Sequence, residues 1–298
     1  MEVKEVKSWD ELVKEVFEGS YNQKIGRYRS PFAFRGQPQD YPLVSGLMRL
    51  GHPVEKLGDF ERFLFNNFRK YAHQEFHGEN SEWRWLSFAQ HHGLPTRLLD
   101  WTFSPFVAMH FATSDLTRIE VDGVIWCVDM YAIQPWLPDK LRAVITAART
   151  GVFTIDMLEK HFKDIREFDK KEGSIKDFVL FFEPPSLDLR IVNQVALFSF
   201  MSNPSAKLDQ WLIETPDAEP DETSQNIGHI CKKIIVRKEA KWEIRDKLDQ
   251  ANINERVLFP GPDGLSSWLK RWYSPTNPPK DLNAEKELIP SSERLGRS

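Results

Sequence analysis

The sequence predicts an α+β fold: a single domain in which a mixed or antiparallel sheet follows an N-terminal helical portion. Three observations support this. Helical patterns dominate the first part of the chain, and four short runs rich in β-branched and aromatic residues come later. No regular alternation of strand and helix of the kind that builds a parallel sheet connects them. The chain has 298 residues, 41% of them hydrophobic, with ten Trp and 21 Phe, so it has the apolar surface for a sizeable core.

Ser8-Trp9-Asp10-Glu11 is a capping box that starts a helix over 9–18, with Leu12, Val16 and Phe17 on one face and Gly19 as its stop. Pro31 to Gly36 reads as a short strand with Arg35 at its C-terminal end. Phe60, Phe63, Leu64, Phe68 and Tyr71 recur at helical spacing and predict a core stripe. Trp85, Phe88, Ala89 and His92 repeat the pattern up to Gly93, which places Gln90, His91 and His92 in a last turn. Ser104-Pro105 supplies an N-cap and first residue for a buried helix through Val107, Ala108, Phe111 and Ala112. Strands are expected at 123–128, 178–182, 195–200 and 230–236, and helices at 131–150, 155–162, 239–250 and 265–272. Lys232, Lys233, Arg237, Lys238, Lys241 and Arg245, interleaved with Glu239, Glu243 and Asp246, read as a solvated face. The expected organisation is a helical lead-in over 1–31, a domain over 32–273 and a polar, proline-rich flexible tail over 274–298.

Forty basic against 44 acidic side chains give a net charge of -4, so general nucleic-acid binding is not expected. Cys127 and Cys231 sit in apolar segments without disulfide or zinc spacing, which fits a reducing cytoplasm. The start of the chain lacks a signal-peptide pattern and the longest apolar stretch, 195–201, is too short for a bilayer, so no membrane partner is expected. There is no G-x-G-x-x-G, no G-x-x-x-x-G-K-[ST] and no G-x-S-x-G. His91 and His92 point about 100° apart on a helix with no carboxylate at helical spacing, so no metal is expected.

The stretch 88–113, FAQHHGLPTRLLDWTFSPFVAMHFAT, crowds His, Thr, Arg, Asp, Trp and Ser into an expected loop between two buried helices. Arg97 and Asp100 are close enough to pair beside Trp101, either as a clamp for the loop or as contacts to a substrate. This stretch, with Phe34-Arg35-Gly36-Gln37, 190–198 (RIVNQVALF) and 258–265 (LFPGPDGL), resembles the FRG-domain family over about 32–272. The order of the motifs is also similar to that of ADP-ribosyltransferases with an aromatic-Arg-Gly strand, a Ser/Thr strand and a later glutamate. That likeness implies an ADP-ribosyltransferase-like fold and an NAD-directed enzyme, performing ADP-ribosyl (glycosyl) transfer or NAD glycohydrolysis, with NAD as substrate. It further implies a bacterial toxin or anti-phage effector, with a protein target or cognate antitoxin as partner. Arg35 would hold phosphate, Thr96 and Ser104 would bind ribose or nicotinamide, and Gln194 would contact the ribose hydroxyl. Gly36, Gln37, His91, His92, Trp101 and Thr102 would line the substrate site, with Arg97 and Asp100 fixing its loop. Gln194 stands where the family has glutamate, and an amide cannot take a proton at neutral pH. Two alternatives therefore stay open: a catalytically inert nucleotide- or protein-binding module, and a hydrolase using His91 or His92 as base.

Overall fold

Strands β1 (Glu2–Val6), β2 (Tyr21–Asn22), β3 (Arg27–Tyr28), β4 (Phe32–Gln37), β5 (Leu98–Thr102), β6 (Gly123–Asp129), β7 (Phe153–Thr154), β8 (Val179–Glu183), β9 (Ala196–Met201) and β10 (Cys231–Val236) carry the β-structure. Between them run α1 (Trp9–Phe17), α2 (Leu57–Tyr71), α3 (Glu82–His91), α4 (Pro105–Thr113), α5 (Asp139–Ala148), α6 (Ile155–His161), α7 (Leu189–Asn193), α8 (Leu208–Glu214), α9 (Lys241–Gln250), α10 (Glu255–Leu258) and α11 (Pro262–Trp272). The structure, a computed structural model, describes residues 1–76, 80–168, 177–186, 188–217 and 229–276. Most of the expected tail, 277–298, lies outside these residues. The contacts group 1–253 into one compact unit and 254–298 into another.

The fold is α+β. Eight strands form one sheet in the order β1-β10-β6-β4-β5-β9-β8-β7, and β2 pairs with β3 in a separate hairpin. In the large sheet only β1/β10 and β7/β8 are parallel. One sheet face carries a continuous core in which Ala33, Leu99, Trp101, Trp126, Phe181 and Leu197 meet Leu208 and Leu212 of α8. The opposite face divides into two clusters. Phe32, Phe34, Ile125 and Ile234 pack with α1, α4 and α9, whereas Leu98, Leu180, Phe198 and Phe200 pack with α3, α5 and α6.

The junction of the two halves is narrow. Strands β4 and β6 pair continuously from Phe32–Asp129 to Gln37–Val124, but β4 meets β5 only at Phe34–Thr102. Past that pair the two strands part. Helix α4 is held against the first half by two glycines. A Cβ on Gly36 would lie 1.8 Å from the carbonyl oxygen of Ala108, and one on Gly123 would lie 2.5 Å from that of Ala112. Ser104 caps this helix, its Oγ accepting from Val107 N.

Several expectations are corrected. The segment taken as a loop between helices contains β5, whose Leu98 and Leu99 are both buried because the strand is covered on both faces. The lead-in contributes β1 as well as α1, and the alternation in EVKEV reflects an edge strand. Helix α2 turns Leu57, Glu61 and Phe65 inward and leaves Phe63 and Tyr71 exposed. The expected helix over 131–150 begins only at Asp139, after Pro135 and Pro138. The basic run is not a solvated face, since Lys232, Lys241 and Arg245 are buried. Lys241 donates to the carbonyls of Pro38 and Arg118, and burial pushes it down to about 8. Burial pushes both Cys127 and Cys231 up to about 12, which keeps them unreactive. Among the described residues no helix is long and apolar enough to cross a membrane.

In the unit formed by 254–298, Arg271 pairs through Nε and Nη2 with both carboxylate oxygens of Glu255, at 2.7 and 2.8 Å.

Gly36→Ala is expected to destabilise the protein by about 3 kcal/mol, the upper end for overpacking a filled core. Urea denaturation measures it. An unchanged midpoint would mean that α4 does not rest on this strand as described.

Candidate functional site

Where β4 and β5 part, a cleft of about 730 Å³ opens, bounded by the C-terminal end of α3, by α4 and by α7. Its walls come from both helix-covered halves of the sheet: Phe34, Val107 and Phe111 on one side, Leu98, Ala196 and Phe198 on the other. Arg35, Arg49 and Arg190 line it, against Asp100 as the one lining carboxylate among the described residues. Three cations to one anion favour a negatively charged ligand.

Arg35 is half-buried on β4. With no ladder partner opposite it on β5, its Nη1 donates to the main-chain carbonyl of Asp100. Its Nε is buried and has no hydrogen-bond partner. No carboxylate pairs with it among the described residues; burial lowers its pKa and the nearby Asp100 opposes that shift. A guanidinium stays charged in such surroundings, so this is an uncompensated cation with a donor to spare.

Asp100 accepts from Gln90 Nε2 at 3.1 Å on both oxygens. Gln90 Oε1 in turn accepts from the Thr96 hydroxyl at 2.6 Å, and that hydroxyl accepts from Leu98 N. This chain fixes the amide orientation of Gln90. It also corrects two expectations. Thr96, expected at ribose or nicotinamide, is buried with its hydroxyl bonded to Gln90 and Leu98, and Asp100 bonds Gln90 in place of Arg97. Residues 97 and 100 lie on opposite faces of the strand. Arg97 is instead buried against Glu61 of α2: Nε donates to Oε2 at 2.7 Å, Nη2 pairs with the same carboxylate, and Nη1 donates to Ser202 O.

Other expected residues divide in the same way. Gly36, His91, His92, Trp101, Thr102 and Gln194 line the cleft. The Trp101 ring nevertheless belongs to the core, its Nε1 donating to Ser199 Oγ at 2.9 Å. Gln37 lies outside the lining, and its Oε1 accepts from Trp126 Nε1. Ser104 is likewise outside, engaged as the cap of α4. The Thr102 hydroxyl donates to Gln194 O at 2.7 Å and accepts from Ser104 N. Val195, which follows Gln194, has φ 46, a left-handed conformation that a β-branched residue adopts only under constraint.

The histidines behave differently from each other. His91 Nε2 lies 2.6 Å from Asp188 Oδ2, whereas His92 tilts against Phe88. Burial first, and then the neighbouring His91, lowers the pKa of His92. Among the described residues no three His, Cys, Asp or Glu side chains group to hold a metal ion.

Residues 30–120 match the family model of the FRG domain. The chain carries an FRG domain. Neither the curated proteins nor the solved structures give a significant match, so the likeness to ADP-ribosyltransferases rests on motif order alone. The FRG segment spans β4, α2, α3, β5 and α4, and so includes Arg35, Arg49, Gln90, His91 and Asp100. Arg190 and Gln194 reach the cleft from outside it, and Asp188 contacts His91 on its wall. Sequence reasoning did not single out Arg49, Glu61, Gln90, Asp188 or Arg190 as site or framework partners. Arg190 stood in the family motif beside Gln194, and Asp188 carried a helix-cap signal, but nothing local marked Arg49 or Glu61.

Removing Glu61 leaves a buried guanidinium uncompensated, so Glu61→Ala is expected to cost about 4 kcal/mol. Asp100→Asn, at an exposed carboxylate held by an amide, is expected to cost less than about 1 kcal/mol. Parallel urea titrations compare the two, and equal losses would contradict the division between framework and cleft.

Proposed function

We propose that the cleft of the FRG domain binds the diphosphate of a nucleotide, that the nucleotide is NAD, and that the site splits its nicotinamide glycosidic bond, with water or another acceptor taking the ADP-ribosyl group. The observation that carries this reading is the buried Nε of Arg35, a charged donor without a partner in a cleft already rich in arginine. A phosphate oxygen is a fitting acceptor for it, because a guanidinium fork matches phosphate geometry. Arg49 and Arg190 add charge for a second phosphate, and a volume of about 730 Å³ suits a cofactor-sized ligand. The apolar walls at Phe111 and Phe198 suit a neutral ring.

The choice of NAD among nucleotides rests on the resemblance, and its residue roles are revised by the geometry. Ser104 and Thr96 are engaged in the framework, so the contact to the ligand falls to Arg35 with the other polar side chains that line the cleft. The same engagement favours the second reading, a module that binds the nucleotide without cleaving it. An NAD-consuming protein would poison the cell that makes it, which is the form that a toxin or anti-phage effector role takes here.

The test is calorimetric titration with ADP-ribose and NAD, together with nicotinamide release. Arg35→Ala is expected to weaken binding about 100-fold, corresponding to about 3 kcal/mol of charge-assisted contacts. Arg35→Lys, which keeps the charge but loses the fork, should lie between it and wild type. Growth arrest on expression in bacteria should disappear with Arg35→Ala. Nicotinamide release unaffected by both substitutions would sink the proposal, and saturable binding with no release would establish the module.

A further inference from the structure

We infer that His91 and Asp188 form a proton-accepting pair in the cleft, with Nδ1 of His91 taking the proton of the attacking water or acceptor hydroxyl and Asp188 fixing the ring for that role. The inference rests on the NAD-directed reading above and adds its missing base, since Gln194 cannot serve as one.

The geometry determines which nitrogen is free. Asp188 caps α7, its Oδ1 accepting from Ile191 N at 3.1 Å, and its Oδ2 lies 2.6 Å from His91 Nε2. Partial burial works against the charged form, but the Ile191 N–H and His91 outweigh it and hold the carboxyl below the usual carboxylate range. An ionised carboxylate only accepts, so the proton between the two groups belongs to Nε2. A neutral ring with its proton on Nε2 carries its lone pair on Nδ1. Among the described residues Nδ1 has no hydrogen-bond partner, and His91 lines the cleft.

The surroundings also suit the imidazolium that would form. His91 is the last residue of α3, where the helix dipole favours a cation, and Asp188 lies against it. Around the adjacent His92, Arg190 of α7 opposes a cation and Glu75 favours one, and burial keeps the His92 pKa below its ordinary value. In the step itself the C1′–N bond breaks and its electron pair leaves with nicotinamide, which departs neutral. The C1′–O bond forms to water, and the water proton passes to Nδ1 and then to solvent. Asp188 does not touch substrate and acts as a positioning residue through His91.

Asp188→Asn provides the test because it preserves the helix cap while reversing the polarity of the contact. The amide oxygen still caps α7, and the amide NH₂ now faces Nε2, which moves the ring proton to Nδ1. Turnover is expected to fall about 100-fold, with ADP-ribose affinity unchanged within roughly threefold. Nitrogen-15 spectra of labelled histidine should place the ring proton of His91 on Nε2 in wild type and on Nδ1 in the variant. His91→Gln should lose turnover similarly and keep binding. Wild-type turnover in either variant, or a proton on Nδ1 in the wild type, would overturn the inference while leaving the NAD reading intact. Binding without nicotinamide release in wild type would remove the base but keep the nucleotide site, and failure of the wild type to bind ADP-ribose would remove both.

Discussion

Strands β4 and β5 meet at a single ladder pair, Phe34–Thr102, and the site depends on that narrow junction. A central sheet position ordinarily satisfies its backbone groups by continuous pairing. Past Phe34 the Asp100 carbonyl takes the Arg35 side chain instead of a strand neighbour. The strands stay close enough for one guanidinium to bridge them and far enough apart to leave a cavity. Helix α4 maintains the gap from one side. Because Gly36 has no side chain, the backbone at Ala108 rests directly on β4, and the cap at Ser104 lies two residues after Thr102 of β5. The Phe-Arg-Gly triplet thus combines three physical tasks: Phe34 is core, Gly36 admits the helix, and Arg35 spans the opening.

Two arginines of the FRG segment illustrate how partner geometry separates framework from function. Arg97 is completely buried, doubly bonded to Glu61, and lies over the Phe200 ring with 5.0 Å to the centroid. Desolvating such a pair gives little net stability, but breaking it is costly, so it specifies how α2 docks on the sheet. Arg35 has no such counter-ion, and burial disfavours its charge. A half-buried cation with no carboxylate partner among the described residues is an unfavourable arrangement for stability alone, and on the proposed reading a bound anion would complete it.

Much of this architecture was legible in the chain because it rests on local signals. The Ser8 and Ser104 caps, the Pro105 start and the runs that became β6, β8, β9 and β10 each express a backbone preference that does not depend on distant residues. The failures have a common cause. Leu98 to Thr102 contains polar Asp100 and follows a proline, so its strand character emerges only when β9 pairs with it. The charges of Lys232, Lys241 and Arg245 looked solvated until carbonyls and a histidine in distant elements were seen to receive them. The inward face of α2 was misjudged because its buried Glu61 is tolerated only through Arg97, a partner 36 positions away. Arg35 and Gln194 were identifiable as cleft residues by type and order. Asp188 could not be, because its importance lies in where α7 brings it relative to α3.

The engagement of nearby hydroxyls limits how the cleft can discriminate among ligands. Thr96, Thr102 and Ser104 all direct their oxygens into the framework, where they orient Gln90, hold Gln194 and cap α4. Rigid positioning is gained, and direct hydroxyl contacts to a ligand are given up. Val195, forced to a positive φ beside Gln194, points the same way, since strain of about 1 to 3 kcal/mol persists only where the surrounding contacts over-determine it. On the proposed reading, recognition would fall to the guanidinium groups, the carboxylate and the aromatic walls of the cleft. Such a lining would select first for the number and spacing of negative charges and only second for the sugar of the proposed nucleotide. The affinity of the proposed nucleotide would weaken as salt rises, since Arg49 and Arg190 are exposed enough to be screened.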